Sequence, residues 1–161
     1  MPPFTTKAPL YDYFYCGSSL YGDLNPQRIR EWMAYHAKFF GPRSHFIFHD
    51  AGGVHPKVRE VLEPWIRAGR VTLQDITEQE QFDGYYHNQF LIVNDCLHRH
   101  KFMASWTLFF DVDEYIYISP RKTHPSLLND LLNTHQRHQF TTCKFPAFVY
   151  MGITLFLSSW R

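Results

Sequence analysis

The sequence predicts an α/β protein with a mostly parallel sheet flanked by helices. Short aromatic and apolar runs typical of strands alternate along the chain with segments whose apolar residues recur at helical spacing. The chain is 161 residues long, which is enough for one domain with a hydrophobic core. Polar residues follow directly after three of the predicted strands, and the carboxyl ends of parallel strands form the edge where ligands bind.

The composition excludes several other classes of protein. With 45% hydrophobic and 19% charged residues, the chain is too apolar to be disordered. Its net charge of +1 attracts no polyanion, so no nucleic-acid partner is expected. The longest uncharged run, Phe145–Trp160, contains a proline and is too short for a transmembrane helix.

The cysteines point away from a metal-bound or disulfide-stapled domain. Cys16, Cys96 and Cys143 are far apart in sequence and form no CxxC pair, which argues against a zinc ribbon or a disulfide scaffold. Cys96 lies within a predicted helix. We therefore expect it to be a small packed side chain without a catalytic role.

The first strand and helix are predicted from local signals. The aromatic run Tyr11–Cys16 is typical of a strand, and Gly17 with the two serines behind it predicts a turn. Asn25 followed by Pro26 indicates a helix start, because asparagine caps the first backbone N–H groups and proline fits the first helical position. Apolar residues at helical spacing follow until Gly41 ends the helix.

The next elements repeat this alternation. A second strand, His45–His49, is ended by Asp50, and a third strand, Arg70–Gln74, follows a second helix. That helix is indicated by an apolar stripe of Val58, Val61, Leu62, Trp65 and Ile66.

The last predicted elements surround an acidic motif. A polar stretch, residues 75–84, leads to a helix from about Tyr86 to Arg99. The run Trp106–Phe110 is apolar throughout, which is typical of a strand buried on both faces, and it continues directly into the acidic motif. A last helix opened by Thr123 and a fifth strand, Gln139–Cys143, complete the prediction.

The acidic motif carries the strongest chemical signal in the sequence. Asp111 and Asp113 stand at positions i and i+2 just past a buried strand, so their carboxylates can together hold a hard divalent cation. Such a cation can bind a diphosphate and neutralise the charge that develops on a leaving nucleoside diphosphate when a glycosidic bond forms. Glu114 supplies a third carboxylate or a neighbouring base.

Two other interpretations of this motif stay open at this point. Paired aspartates are common in solvated turns, where they bind nothing. A phosphohydrolase of the haloacid-dehalogenase type also places a DxD motif after a strand and uses the first aspartate as its nucleophile. That class of enzyme has Thr or Val where Tyr115 stands, and its motif follows the first strand of the sheet, whereas the motif here comes late in the sheet.

Five blocks of the sequence, in their order and spacing, resemble glycosyltransferase family 92. They are Tyr15–Ser19, Arg30–His36, His45–Gly53, Gly84–Cys96 and Phe109–Tyr115. The resemblance covers about residues 11–140. It implies a GT-A fold with a Rossmann-like sheet and the transfer of galactose from UDP-galactose, with inversion, to a β-1,4-galactan side chain of pectin. It also implies Mn²⁺ or Mg²⁺ as cofactor and a place on the lumenal side of the Golgi membrane, through an anchor that this chain does not carry.

The resemblance also assigns residues to the site. Asp113 matches a metal ligand of the family, and Asp111 matches a residue that contacts the ribose, the metal or a metal-bound water. The expected donor-binding residues end the first two strands, start a helix or belong to the acidic motif: Gly17, Ser18, Ser19, Asp50, Gln89 and Asp111.

The sequence departs from the family pattern toward its end. We expect a tail at residues 1–10, an incomplete GT-A-like domain at 11–143 and an atypical apolar tail at 144–161. No Asp or Glu follows Asp130, so the general base of an inverting transfer is expected in a C-terminal half missing from this chain. The chain is therefore expected to be a donor-binding fragment. A non-catalytic module that binds a nucleotide sugar is the alternative.

Overall fold

The structure, a computed structural model, describes residues 8–82, 84–100, 102–116, 148–150 and 153–158. The strands are β1 Tyr11–Leu20, β2 Ser44–Asp50, β3 Val71–Asp75, β4 Ala104–Phe109, β5 Phe148–Tyr150 and β6 Ile153–Ser158. The helices are α1 Pro26–Phe40, α2 Pro56–Arg67, α3 Thr77–Phe82 and α4 Gln89–Arg99, and a short turn at Tyr85–Asn88 precedes α4. The helix predicted after Thr123 and the strand predicted at Gln139–Cys143 lie outside the described residues.

The strands form one sheet in the order β3-β2-β1-β4-β6-β5. β1 pairs in parallel with both β2 and β4, and β2 pairs in parallel with β3. β6 is antiparallel to β4, and β5 is antiparallel to β6. The prediction of an α/β fold with a mostly parallel sheet is thus confirmed, and the pattern is that of a GT-A-like, Rossmann-like core.

Alternating side chains of the strands fill two hydrophobic clusters, one on each face of the sheet. Tyr13 and Tyr15 of β1 lie in the larger cluster with α1 and α2, whereas Phe14 and Cys16 lie in the smaller cluster with α4. Trp32 of α1 is fully buried in the larger cluster. Because burying one large apolar side chain contributes about 1.5–3 kcal/mol, the sandwich of two helical layers around the sheet stabilises the fold.

The predicted start of α1 is confirmed in detail. The Oδ1 atom of Asn25 accepts hydrogen bonds from the backbone N–H groups of Gln27 and Arg28, at 2.9 and 3.4 Å. Pro26 occupies the first position of the helix, where no intrahelical N–H bond is lost. This cap fixes where α1 begins relative to the end of β1.

The turn predicted at Gly17–Ser19 is wrong, because these residues belong to β1. The pairing of β1 with β2 shifts register between Cys16 and Ser19, which is a β-bulge, and then resumes with Ser19 opposite His49 and Leu20 opposite Asp50. Leu20 is buried, and its carbonyl accepts hydrogen bonds from the N–H groups of Ala51 and Gly53. This pairing and burial extend the strand beyond the glycine.

The helix predicted from about Tyr86 starts three residues later, at Gln89. Tyr86, His87 and Asn88 have φ angles of 48°, 49° and 61°, so they cannot continue an α-helix backward from Gln89. The polar stretch before them contains α3, whose first turn is held by Asp75: its Oδ1 atom accepts from the N–H and the hydroxyl of Thr77.

Cys96 is packed in the smaller hydrophobic cluster, as predicted, but the inference from the cysteine spacing against a disulfide framework missed one bond. Cys96 on α4 and Cys16 on β1 form a disulfide that joins residues 80 positions apart in sequence, and both are buried. The bond ties α4 to the central strand immediately before the β-bulge.

Within the described residues, no helix is both long and apolar enough to cross a bilayer.

We expect the Cys16–Cys96 disulfide to stabilise the fold by about 2–4 kcal/mol, because it closes a long loop in the unfolded chain. Mapping of non-reduced peptides should yield one linked peptide containing both cysteines. Cys96→Ser should lower the free energy of urea unfolding under oxidising conditions, while the control Cys143→Ser, which keeps both partners, should not. Equal unfolding free energies for wild type and Cys96→Ser would contradict this role.

Candidate functional site

The carboxyl ends of the parallel strands bring the predicted site residues to one edge of the sheet. Leu20 of β1 pairs with Asp50 of β2, and Asp50 pairs in turn with Asp75 of β3. On the other side of β1, Tyr15 pairs with Leu108 of β4. The segment that follows β4 therefore emerges at the same edge as the second half of β1.

The segment Asp111–Glu114, here called the carboxylate turn, closes on itself. The N–H of Glu114 donates to the carbonyl of Asp111 at 3.1 Å, and the N–H of Asp111 donates to the Glu114 carboxylate at 2.9 Å. Asp113 is exposed, whereas Asp111 and Glu114 are half-buried. Burial raises the pKa of Glu114, and the carboxylates of Asp111 and Asp113 raise it further, against the opposing effect of the Asp111 N–H. The turn thus concentrates negative charge at the sheet edge.

An open depression of about 570 Å³ adjoins the exposed side of this turn. It is lined by Asn25, Gln27, Arg28, Glu31, Asp113 and Tyr115. Its volume lies within the range of ligand pockets, and it sets the start of α1 beside the Asp113 side chain.

Four side chains of β1 and α1, here called the aromatic clamp, hold the backbone on both sides of the carboxylate turn. They are Tyr15, Trp32, Tyr35 and His36. The Tyr15 hydroxyl donates to the carbonyl of Phe110 at 2.8 Å, just before the turn. Trp32 Nε1 donates to the carbonyl of Glu114 at 2.9 Å, at the end of the turn.

The other two members of the aromatic clamp bind both backbone groups of Ile116. The Tyr35 hydroxyl donates to the carbonyl of Ile116 at 2.6 Å, and the N–H of Ile116 donates to His36 Nε2 at 3.5 Å. His36 Nδ1 lies 3.1 Å from the carbonyl of Trp32 and therefore carries the ring hydrogen, which leaves Nε2 as an acceptor. Burial lowers the pKa of His36 to about 4, so the ring is neutral at pH 7.

Gly17 is required by the position of Tyr15. A Cβ atom at residue 17 would lie 1.7 Å from the Tyr15 hydroxyl oxygen, which is itself bonded to Phe110. Any larger residue would push the Tyr15 ring away from the backbone that precedes the carboxylate turn. Gly17 thus has a steric role in the site, and its predicted contact with a donor stays a prediction.

Ser19 and Asp50 both hold neighbouring backbone. The buried Ser19 hydroxyl donates to the carbonyl of His87, which connects β1 to the segment before α4. Asp50 Oδ1 accepts from the N–H groups of Gly52 and Val54, at 2.9 and 3.1 Å, and so shapes the loop after β2. Both residues lie at the predicted edge. For Ser18 the structure gives the strand position alone.

Gln89 is half-buried at the first position of α4 and directly follows a segment whose backbone conformation is energetically unfavourable. The three left-handed residues before it, Tyr86 to Asn88, cost of order 1–3 kcal/mol each and persist only where surrounding contacts hold them. Glu80 supplies two of those contacts, to His87 Nδ1 at 2.8 Å and to Asn88 Nδ2 at 2.7 Å. The His87 ring also stacks on Tyr21, with centroids 3.5 Å apart.

The chain matches the model of glycosyltransferase family 92 over residues 11–154. The chain belongs to glycosyltransferase family 92. It is similar to three galactan β-1,4-galactosyltransferases of Arabidopsis thaliana. It is 67% identical to GALS1 over 137 residues and 60% identical to GALS3 over 142 residues, which are 84% and 88% of this chain but 27% and 28% of those proteins. The chain therefore spans about a quarter of the length of the curated relatives that it matches.

The carboxylate turn fits the divalent cation that the family resemblance implies. Asp111 and Asp113 offer the hard oxygen atoms that such ions prefer, in a region made negative by a third carboxylate. Among the described residues, no group of three or more His, Cys, Asp or Glu side chains is arranged to hold a metal ion.

Sequence reasoning did not find the aromatic clamp or the left-handed segment of this family 92 chain. Trp32, Tyr35 and His36 stand at positions i, i+3 and i+4 and therefore share one face of α1. Aromatic residues with polar tips on a buried helix face need hydrogen-bond partners, which is the signal that could have indicated a fixed backbone nearby. The left-handed residues carry no comparable signal, because none of them is glycine.

We expect stability to fall as the pH drops from 7 to 5.5, because His36 and His49 are buried and neutral. Burial lowers the pKa of each to about 4, whereas an unfolded histidine has a pKa near 6.5. Between these two pKa values the unfolded chain binds more protons than the folded chain. Each histidine therefore lowers the free energy of unfolding by about 1 kcal/mol between pH 7 and pH 5.5. Urea unfolding at the two pH values measures the loss.

His36→Phe should reduce this pH dependence by the contribution of one histidine, whatever its effect on absolute stability. The exposed His98 provides the matched control, and His98→Gln should keep the wild-type pH dependence. An unchanged pH dependence in His36→Phe would show that the folded protein protonates this ring as readily as the unfolded chain does.

Proposed function

We propose that the protein containing this chain transfers galactose from UDP-galactose to β-1,4-galactan, and that this chain forms the donor-binding part. The single observation that carries the donor role is the carboxylate turn at the carboxyl edge of a GT-A-like sheet. The galactose and galactan specificity rests on the relatives, which are named galactan β-1,4-galactosyltransferases. Membership of a glycosyltransferase family does not favour the phosphohydrolase alternative.

Asp113 and Asp111 would hold a divalent ion of the Mn²⁺ or Mg²⁺ type. When bound, this ion neutralises the charge of the diphosphate as it leaves. The half-buried Asp111 would contact the ribose of the donor or a water bound to the ion. The hydrogen bonds of the aromatic clamp to Phe110, Glu114 and Ile116 support this role, because they hold the backbone on both sides of the two carboxylates.

The transfer would invert the anomeric configuration. UDP-galactose is an α-linked donor, and a β-1,4-galactan contains β linkages, so a single displacement accounts for the change. Such a displacement needs a general base to take the proton of the acceptor hydroxyl. We place this base in the part of the relatives' sequence that the present chain does not match.

The Cys16–Cys96 disulfide supports an oxidising compartment as the place of action. Stable structural disulfides are rare in the cytosol, where thiols are kept reduced, and common in the secretory pathway. We therefore propose the Golgi lumen.

Calorimetric titration of UDP-galactose into the chain, with and without Mn²⁺, tests the donor role. We expect UDP-galactose to bind only when Mn²⁺ is present. We expect Asp113→Ala to lose at least about tenfold in affinity, since it removes one charged ligand of the ion. Asp12→Ala is the matched control, because Asp12 lies at the opposite end of β1 in an exposed ion pair with Arg43. Unchanged binding by Asp113→Ala would refute the metal assignment.

A test of the acceptor role needs a longer protein, one that includes the part of the relatives' sequence to which this chain does not align. Such a protein should extend a galactan oligosaccharide with UDP-galactose and produce β linkages, as read by NMR of the product. Donor binding without any transfer by that protein would support the alternative of a non-catalytic nucleotide-sugar-binding module.

A further inference from the structure

We propose that α1 positions the ion-binding carboxylates, with Tyr35 and His36 as its positioning residues. Their hydrogen bonds to both backbone groups of Ile116 would fix the carboxylate turn in the geometry that binds a divalent cation. This inference rests on the proposed function, because it assigns these residues a role in cation binding. It goes beyond that function because it assigns a role to two residues that the proposed function does not count among the ligands of the ion.

The first step of the argument concerns what holds Asp113. Within the described ranges, no hydrogen bond or ion pair holds the Asp113 carboxylate, and its side chain is exposed. The direction of this side chain is therefore set by the backbone from which it projects. A cation site requires its ligands within about 0.5 Å of the binding geometry, so the backbone must itself be fixed.

The second step concerns how the backbone is fixed. Tyr15 holds Phe110 before the carboxylate turn, and Trp32 holds Glu114 at its end. Tyr35 and His36 then bind the carbonyl and the N–H of Ile116, whose side chain is buried in the larger hydrophobic cluster. A residue held at both of its backbone groups cannot rotate without breaking one of these bonds.

The third step separates positioning from packing. Tyr35 is 38% exposed, and its ring contacts Tyr115 and Phe39 at centroid distances of 5.2 and 6.0 Å. Tyr35→Phe keeps these ring contacts and removes only the hydroxyl that binds Ile116. An effect of this substitution on cation binding therefore comes from the loss of the hydroxyl, which donates to Ile116, rather than from a loss of ring packing.

The experiment is a titration of the 161-residue chain with Mn²⁺ alone, followed by the electron paramagnetic resonance signal of free Mn²⁺. We expect Tyr35→Phe to weaken binding about fivefold to tenfold, the size expected for one lost hydrogen bond. Its thermal unfolding should stay close to that of wild type. Tyr11→Phe is the matched control, because Tyr11 lies at the amino end of β1 on the side of α4 and should bind Mn²⁺ as wild type does.

A second pair of variants tests the role of the His36 acceptor. The Oε1 atom of His36→Gln can accept from the N–H of Ile116, whereas His36→Phe offers no acceptor. We expect His36→Gln to bind Mn²⁺ more tightly than His36→Phe, and the amide hydrogen of Ile116 to exchange faster in His36→Phe than in wild type without any metal. Even if His36→Phe fails to fold, Tyr35→Phe decides the question.

The outcomes distinguish this inference from the proposed function. Wild-type Mn²⁺ affinity in Tyr35→Phe would overturn the positioning role and leave the proposed function intact. A wild-type chain that does not bind Mn²⁺ would overturn the metal assignment in the proposed function, and the positioning role would fall with it.

Discussion

The site depends on the attachment of the carboxylate turn to residues far away in sequence. Asp111 and Asp113 follow β4, but the groups that hold their backbone come from β1 and from α1, 80 or more residues earlier. Each of these bonds is made by a polar atom of a buried aromatic ring, so one side chain serves both the core and the site. The packing of α1 on the sheet therefore also determines where the carboxylate turn lies at the edge of the sheet.

The opposite face of the sheet is tied to the same strand by different means. The Cys16–Cys96 disulfide connects β1 to α4, and the Ser19 hydroxyl connects it to the left-handed residues in front of that helix. Between these two contacts lies the β-bulge, whose glycine leaves room for Tyr15. The strand β1 thus contacts both parts of the site. On one face it holds the carboxylate turn, and on the other it holds the start of α4, where Gln89 lies.

Features encoded by neighbouring residues could be predicted from the sequence. The cap at Asn25, the alternation of strands and helices, and the acidic motif after a buried strand are local patterns, and they predict the α/β fold and the site edge. The disulfide, the extension of β1 beyond Gly17 and the bonds to Ile116 depend on residues brought together only by the fold. The left-handed backbone at Tyr86–Asn88 is imposed by Glu80 and Ser19 against the local preference of its residues. Such features are set by tertiary contacts, and no local pattern reports them.

The central claim is that the carboxylate turn is where a nucleotide sugar binds through a divalent cation. The most direct test is an NMR spectrum of the ¹⁵N-labelled chain with UDP and a trace of Mn²⁺, which broadens amide signals near the ion. The account predicts that broadening is strongest for Asp111–Glu114 and next strongest for the adjoining ends of β1 and β2. Broadening centred on another part of the chain, with the signals of Asp111–Glu114 left sharp, would contradict it.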